Sequence, residues 1–357
     1  MNSYLRLLSF FMLSGFILLC VCSYLIDPYG LRSGAADAFA RKVAAADKGR
    51  TIKPYQVKNE APFTVLVGNS RVEIGMPSQH AFYQQLPVYN MGLPGAGVAM
   101  QYDYALHAIQ LHDSVKQVVI ALDILDFTST DGQPLTNVKR NWAWRLATAP
   151  DSWQTQWQQQ VERLGLLFSL SAINDSLYTL FWQNAQVNAL DRSGFNDGGI
   201  YHYQVKYEGF AALYQQKEAE LSKRLQRQAL AFNPQSYQMR ELAHFISSLK
   251  ARGIQPYLLI NPYQKPYVEL LAQFQLQDDL KLWKAALAEL ATQHQLPIYD
   301  FAISSEITDK VVDLNSHNES DSPYFWEPAH YRPALGTLML DALMQQQCAN
   351  LCQLISD

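Results

Sequence analysis

A serine, a histidine and a carboxylate, far apart in the chain, are the residues best suited to chemistry. Ser70 stands in Gly68-Asn69-Ser70-Arg71, directly after the apolar run Phe63–Val67. A glycine ahead of such a serine permits a tight turn. A serine that opens the next helix presents its hydroxyl beside backbone N–H groups able to steady an oxyanion. The same position also suits a plain helix cap. Near the other end of the chain comes Trp326-Glu327-Pro328-Ala329-His330-Tyr331. A carboxylate three residues before a histidine, in a proline-bearing turn, can reach the imidazole and orient it. The far ring nitrogen is then free to take a proton from a serine. A surface acid and a surface histidine would carry the same spacing, and Asp321 is a substitute acid if the turn folds back. Between these two stretches lies Asn90-Met91-Gly92-Leu93-Pro94-Gly95-Ala96-Gly97. Its glycines let a backbone approach a ligand closely, but it has neither the G-x-G-x-x-G order of a dinucleotide site nor the Gly-Lys-Ser/Thr of a P-loop. Arg71, beside the serine, either positions an anionic group or is a solvated arginine at a helix start. His107 and His112 lie five apart, off one helical face. His80, His202 and His317 belong to no H-x-H or H-E-x-x-H pattern, so a metal is not expected, and a serine–histidine–acid set would need no organic cofactor.

Strand ends must carry these groups. Pro62–Gly68, Val88–Gly92 and Val118–Leu122 are short apolar runs of the kind buried in a parallel sheet. A helical spacing of Met100, Tyr104, Ala108 and Leu111 separates the second from the third. The alternation predicts βαβ units with helices on both faces, with functional groups gathered at the carboxyl edge of the strands. From about 128 to 230 strand signals give way to amphipathic helical stretches, interrupted by a loop over 192–210. The alternation then resumes with a helix over 237–252, a strand over 255–261, a helix over 276–294, a strand over 297–301 and a last helix over 333–347. The expected fold is α/β: a doubly wound parallel sheet in a three-layer, flavodoxin-like arrangement with a helical insertion.

Leu7 to Ile26 carries no charge over 20 residues, the length that crosses a bilayer core. Arg6 before it favours a cytoplasmic N-terminus. The run exceeds a signal-peptide core of roughly 7–15 residues and no small-x-small cleavage site follows, so it reads as a retained signal anchor. The predicted organisation is a cytoplasmic residue 1–6 segment, a transmembrane anchor over 7–26, a stalk over 27–60 and the α/β domain over 61–357. The net charge of −4 in 357 residues leaves no basic excess for a phosphate-tracking surface, so nucleic acid is not an expected partner. Cys20 and Cys22 fall in the anchor. Cys348 and Cys352, four apart, can close a short disulfide in an oxidising compartment.

Taken in order, the serine after the first strand, the Asn90–Gly95 loop after the second and the acid-x-x-His before the last helix resemble the SGNH (GDSL-like) hydrolase superfamily. The resemblance implies Ser70 as nucleophile, His330 as base and Glu327 as its orienting acid, with Ser70 and Gly95 N–H groups holding the oxyanion. Two positions depart from the family. Its acid is usually Asp. Its third block normally supplies Asn in a G-x-N-D run, where this chain has Asp123-Ile124-Leu125-Asp126-Phe127; a carboxylate at Asp123 donates no hydrogen bond unless protonated. Anchor, short stalk and divergent blocks together are also similar to bacterial envelope proteins that handle acyl groups on surface polymers, such as accessory proteins for alginate O-acetylation and teichoic-acid D-alanylation. That similarity implies a serine esterase or O-acyltransferase on the periplasmic side of the bacterial inner membrane. Its partner would be a cell-surface glycan or a membrane-borne acyl-donor protein. The alternative is a catalytically inactive scaffold with the same fold in polysaccharide assembly.

Overall fold

The computed structural model describes residues 2–32, 39–130, 132, 138–227 and 229–355. Its first element is a single helix, α1 (Asn2–Ile26), whose one charged residue is Arg6. At 1.5 Å per residue the 24 residues from Ser3 to Ile26 span about 36 Å, more than a hydrocarbon core of about 30 Å. Side chains such as Phe10, Phe11 and Leu18 project from it exposed. It is the one continuous helix among the described residues long and apolar enough to cross a membrane.

The runs rich in Val, Ile and Leu form a parallel sheet. Its strands are β1 (Thr64–Val67), β2 (Val88–Asn90) and β3 (Gln117–Leu122), joined much later by further strands. Helices α2 (Gly49–Gln56), α3 (Ser70–Gly75), α4 (Val98–Leu111) and the short α5 (Ile124–Phe127) lie before and between them. The insertion follows. It opens on β4 (Thr128–Thr130), contains α6 (Trp153–Phe168), α7 (Leu170–Phe181) and α8 (Gly199–Arg227), and closes on β5 (Leu230–Phe232). β4 and β5 pair antiparallel, Ser129 opposite Ala231, so the inserted segment leaves and rejoins the domain at one point. Then come α9 (Tyr237–Ala251), β6 (Gln255–Ile260), α10 (Lys265–Gln273), α11 (Gln277–His294), β7 (Ile298–Asp300), the small antiparallel pair β8 (Phe325–Glu327) and β9 (His330–Tyr331), α12 (Pro333–Gln345) and β10 (Gln353–Ile355).

Across the sheet the order is β2-β1-β3-β6-β7-β10, with β10 the one antiparallel strand, at the edge. Val65 faces Tyr89 on one side and Val118 on the other. Successive side chains in a strand point to opposite faces, and here both faces are covered. Val65, Val67, Val118, Ile120 and Leu258 pack with α4, α9 and α11, while Leu66, Val119, Ala121 and Leu259 pack with α3 and α12. The expected α/β architecture with a mostly parallel sheet is therefore present, and helix boundaries fall within two residues of those expected for α9, α11 and α12.

Two expectations fail. The polar segment over 27–60 does not stand off as a stalk. From Val43 it is a 3₁₀ turn and α2 lying against the domain, with Ala45, Ile52, Tyr55 and Val57 buried; residues 33–38 of the segment lie outside the described residues. Its polar look misled because the lysine and glutamine in it are buried with partners: Lys53 reaches Gly92 O at 2.6 Å and Gln56 reaches Tyr29 O at 2.9 Å. The stretch over 192–210, expected as a loop, becomes helical from Gly199, with the break displaced to Gly209 at φ +79°, a left-handed value that glycine adopts without strain.

Candidate active site

β1 ends at Val67, and the chain turns through Gly68 into α3, whose first residue is Ser70. Gly68 is required by space: a Cβ there would meet Val72 Cγ2 at 2.4 Å and Ala121 O at 3.2 Å. Asn69 caps α3, its Oδ1 accepting Arg71 N–H at 3.0 Å. Asn69, not Ser70, is thus the cap, and the serine hydroxyl is left free at the first turn. There the early N–H groups, that of Ser70 included, have no intrahelical acceptor.

His330 arrives from the other end of the chain, on the two-residue strand β9, just before α12. α12 crosses α3 at very short range, since a Cβ on Gly336 would meet Gly75 O at 2.0 Å. This packing brings Ser70 Oγ to 2.8 Å from His330 Nε2 across 260 residues. On the far side of the ring, Nδ1 bonds to Glu327 Oε1. Glu327 is buried, and its other oxygen accepts Ala329 N–H at 2.6 Å. Both carboxylate oxygens are therefore held, and Nδ1 carries the proton that Glu327 accepts. That tautomer leaves Nε2 a bare acceptor facing the serine hydroxyl.

Burial lowers the His330 imidazole from its ordinary value, with Glu327 opposing and Lys217 and Arg71 adding to the effect. The ring is accordingly neutral near pH 7 and able to accept a proton. Burial raises the Glu327 carboxyl, but His330, Lys217 and the Ala329 N–H outweigh it, and the group stays below its usual range. Lys217 Nζ sits 3.7 Å from Glu327 Oε1, and Tyr201 OH lies 3.4 Å from His330 Nδ1 with its ring stacked on Trp326. Neither Lys217 nor Tyr201 was legible in advance. Both sit on α8, in the insertion, and no local pattern marks them.

Ser70 and His330 open on a cavity of about 520 Å³ lined in part by Arg50, Glu73, Pro94, Asn196 and Tyr201. Its wall is polar and ordered. Glu73 pairs with Lys53 at 2.9 Å, both buried, and Asn196 donates to Glu73 Oε2 at 3.2 Å. Burial lowers the Lys53 ammonium from its usual value, and the Glu73 charge counters that. Arg50 extends from α2 to Pro94 O at 2.5 Å. Six of its 14 lining residues, Ala46 to Thr51, come from the segment expected to be a stalk.

Of the other expected site residues, Gly95 lies beside the cavity and the rest lie elsewhere. Asn90 is fully buried and turned inward; its Nδ2 donates to Val72 O at 2.8 Å and its Oδ1 accepts Gly92 N–H at 2.9 Å. It braces α3 from beneath. Gly95, at φ +61°, lies one residue past the cavity-lining Pro94, beside Arg50. Arg71 points away from the serine into a buried pair with Asp123 at 2.8 Å, its guanidinium 4.7 Å from the ring centres of both Tyr263 and Tyr267. An arginine and an aspartate that neutralise each other in the interior offer a substrate neither a free cation nor a free carboxylate. Asp321 is exposed and accepts a bond from Ser316 at 2.5 Å, remote from the imidazole pairing that Glu327 occupies.

The third-block carboxylate that does approach the serine loop is Asp126. Its Oδ2 accepts Asn69 Nδ2 at 3.0 Å and Gln101 Nε2 at 2.9 Å. Burial, and next the Asp123 charge, push its carboxyl up to about 7. Cys348 and Cys352 are disulfide-bonded at the end of α12. His107 is spoken for: Nδ1 accepts Ala147 N–H at 2.7 Å and Nε2 meets Pro54 O at 2.8 Å. Among the described residues, no group of three His, Cys, Asp or Glu is placed to hold a metal ion.

A buried carboxylate, an imidazole and a half-exposed serine in line at a helix start, beside an open polar cavity, form an arrangement suited to nucleophilic acyl transfer. No protein-family model matches the chain, and no curated protein matches it.

Proposed function

We propose that the chain is a membrane-anchored serine esterase or O-acyltransferase of the SGNH kind, acting on acyl esters of a bacterial cell-envelope polysaccharide outside the cytoplasm. The observation that carries this reading is the 2.8 Å contact from Ser70 Oγ to His330 Nε2, with Glu327 on the opposite ring nitrogen. In this scheme Ser70 Oγ bonds to the acyl carbon as its proton passes to His330 Nε2. The ester C–O bond then breaks, and the leaving alcohol oxygen takes that proton. Water, or a glycan hydroxyl, repeats the sequence in reverse and frees Ser70. The Ser70 N–H at the start of α3 faces the developing oxyanion, and Glu327 balances the transient imidazolium. The polar wall of Arg50, Asn196 and the Lys53–Glu73 pair suits a hydroxyl-rich acceptor better than an apolar one.

The test is labelling of the full-length protein, in detergent, by a fluorophosphonate. Wild type is expected to label and Ser70→Ala to remain blank. Equal labelling of both, or of neither, would turn the reading to a non-catalytic scaffold that keeps this fold for polysaccharide assembly. In cells, the acyl-ester content of surface polymers is expected to differ between wild type and Ser70→Ala.

A further inference from the structure

The insertion carries an apolar surface that the acyl-transfer chemistry does not use. α6 and α7 form one rod bent by 48° at Ser169, which caps α7 by accepting Ala172 N–H at 3.1 Å. At about 100° per residue, Trp153, Trp157, Val161, Leu164 and Phe168 fall within an arc of about 80° on α6. Leu170, Leu177 and Phe181 continue the stripe on α7. All eight are exposed, Trp153 by 72%, Leu170 by 75% and Phe181 by 74%.

The other side of the rod is fixed to the domain. On α6, Glu162 holds Arg145 at 2.5 Å and Tyr55 OH at 2.7 Å, and Gln159 donates to Trp144 O at 2.8 Å. On α7, Ala172, Ser176 and Thr179 are buried, and Asp175 is paired with Lys48. Where it bends, the rod touches the last turns of α1. Tyr24 stacks on Phe168, Ser176 Oγ bonds Ser23 Oγ at 2.9 Å, and Ser23 Oγ bonds Leu167 O at 3.4 Å.

We propose that α6 and α7 are a second membrane contact, lying in the headgroup–acyl boundary of the leaflet from which α1 emerges. The exposed stripe is continuous with the lipid-facing surface of α1 at the level of Ser23 and Tyr24, so the same bilayer covers both. Tryptophan is the residue favoured at that depth, and a one-sided apolar stripe on a helix otherwise rich in glutamine fits a helix in the plane of the interface. Crossing the bilayer is a poorer fit, because it would carry the Glu162–Arg145 and Asp175–Lys48 pairs into hydrocarbon. One consequence concerns the cavity. Lys48, which also bonds Ser171 at 3.2 Å, lines the same cavity as Ser70, so that cavity opens close to the bilayer surface.

The experiment uses the full-length chain in phosphatidylcholine vesicles at less than one copy per vesicle, with tryptophan emission quenched either by acyl-chain-brominated lipid or by iodide on both sides. The comparison is with the double variant Trp153→Phe/Trp157→Phe, which keeps exposed apolar rings in place. Brominated lipid is expected to quench the wild type at least twofold more than the variant, with iodide acting on both alike. Equal bromolipid quenching together with a loss of iodide quenching in the variant would show these tryptophans to be in water and overturn the proposal. Quenching of the two by neither reagent would mean that protein covers the stripe, which also overturns it. The readout does not involve Ser70, so it stands or falls apart from the acyl-transfer reading.

Discussion

Replacing Glu327 by Gln removes one charge and almost no volume, which makes it the sharpest probe of the site. The glutamate is buried and has both oxygens engaged, one by His330 Nδ1 and one by Ala329 N–H at 2.6 Å. A glutamine there offers only one acceptor to two donors. If its oxygen stays on Ala329 N–H, its –NH₂ faces Nδ1 and forces the proton onto Nε2, the nitrogen that must accept from Ser70. If it flips, a buried backbone donor is orphaned, at about 1–3 kcal/mol. In both cases the imidazolium formed during attack loses its counter-ion. Two unit charges roughly 4 Å apart at an effective dielectric of about 20 interact by about 4 kcal/mol, or about 10³-fold in rate. The wrong tautomer brings the expected loss towards about 10⁴-fold. The assay is the rate of fluorophosphonate labelling of full-length Glu327→Gln across pH, beside its melting temperature. The rate needs neutral His330, so it falls as pH drops through the imidazole's value, which burial holds below the ordinary 6.5. Glu327 is the group that raises that value, so its removal is expected to shift the acid limb to still lower pH. A folded Glu327→Gln protein labelled within tenfold of the wild-type rate, or an acid limb moved upward, would refute the assignment of Glu327 as the partner of His330.

Other outcomes follow from the buried charges and the crowded turn. Lys53→Met leaves Glu73 buried with Asn196 as its remaining side-chain partner and is expected to cost about 3–5 kcal/mol in urea unfolding, most of it recovered in Lys53→Met/Glu73→Met; an unchanged midpoint in the single variant would refute a buried pair. Asp126 titrates at about 7 in the folded protein and near its ordinary 3.8 when unfolded, so between those values the folded state holds the extra proton and stability falls as pH rises. From pH 8 to pH 6 this group contributes a gain of about 1.4 kcal/mol, which Asp126→Asn is expected to abolish; equal pH slopes for the two proteins would count against it. Gly68→Ala drives a Cβ against Val72 Cγ2 and is expected to lose about 1–3 kcal/mol by overpacking, together with labelling at Ser70; wild-type melting would show that the turn has room.

Much of the architecture was legible because it is written in local periodicity. The apolar runs of β1, β3 and β6 and the spacing along α4 and α9 each encode one element and the faces it buries, and those faces turned out to be the two cores. Glu327 and His330 were legible as a pair for the same reason, since three residues in a turn is a local distance. The misread segment over 27–60 shows the limit. Lys53 and Gln56 look like solvated residues until Glu73, Gly92 and Tyr29 are placed around them, and a buried ion pair has no signature in either partner's neighbourhood. The buried partners of Arg71 and Asp123 were illegible in the same way, as were those of Asn90, whose amide serves the carbonyls of α3.

By itself the sequence determined that about 20 uncharged residues form a helix able to span a bilayer, that a buried parallel sheet follows, and that a carboxylate can reach His330. These are consequences of length, charge and short-range spacing. Only the tertiary structure decided that His330 meets Ser70, across 260 residues. It also decided that Arg71 and Asp123 cancel each other and that the segment after α1 walls the cavity. Contacts of that kind are set by which surfaces pack, here α12 against α3 through Gly336 and Gly75. A polar side chain's partner is chosen by that packing, not by its neighbours in the chain.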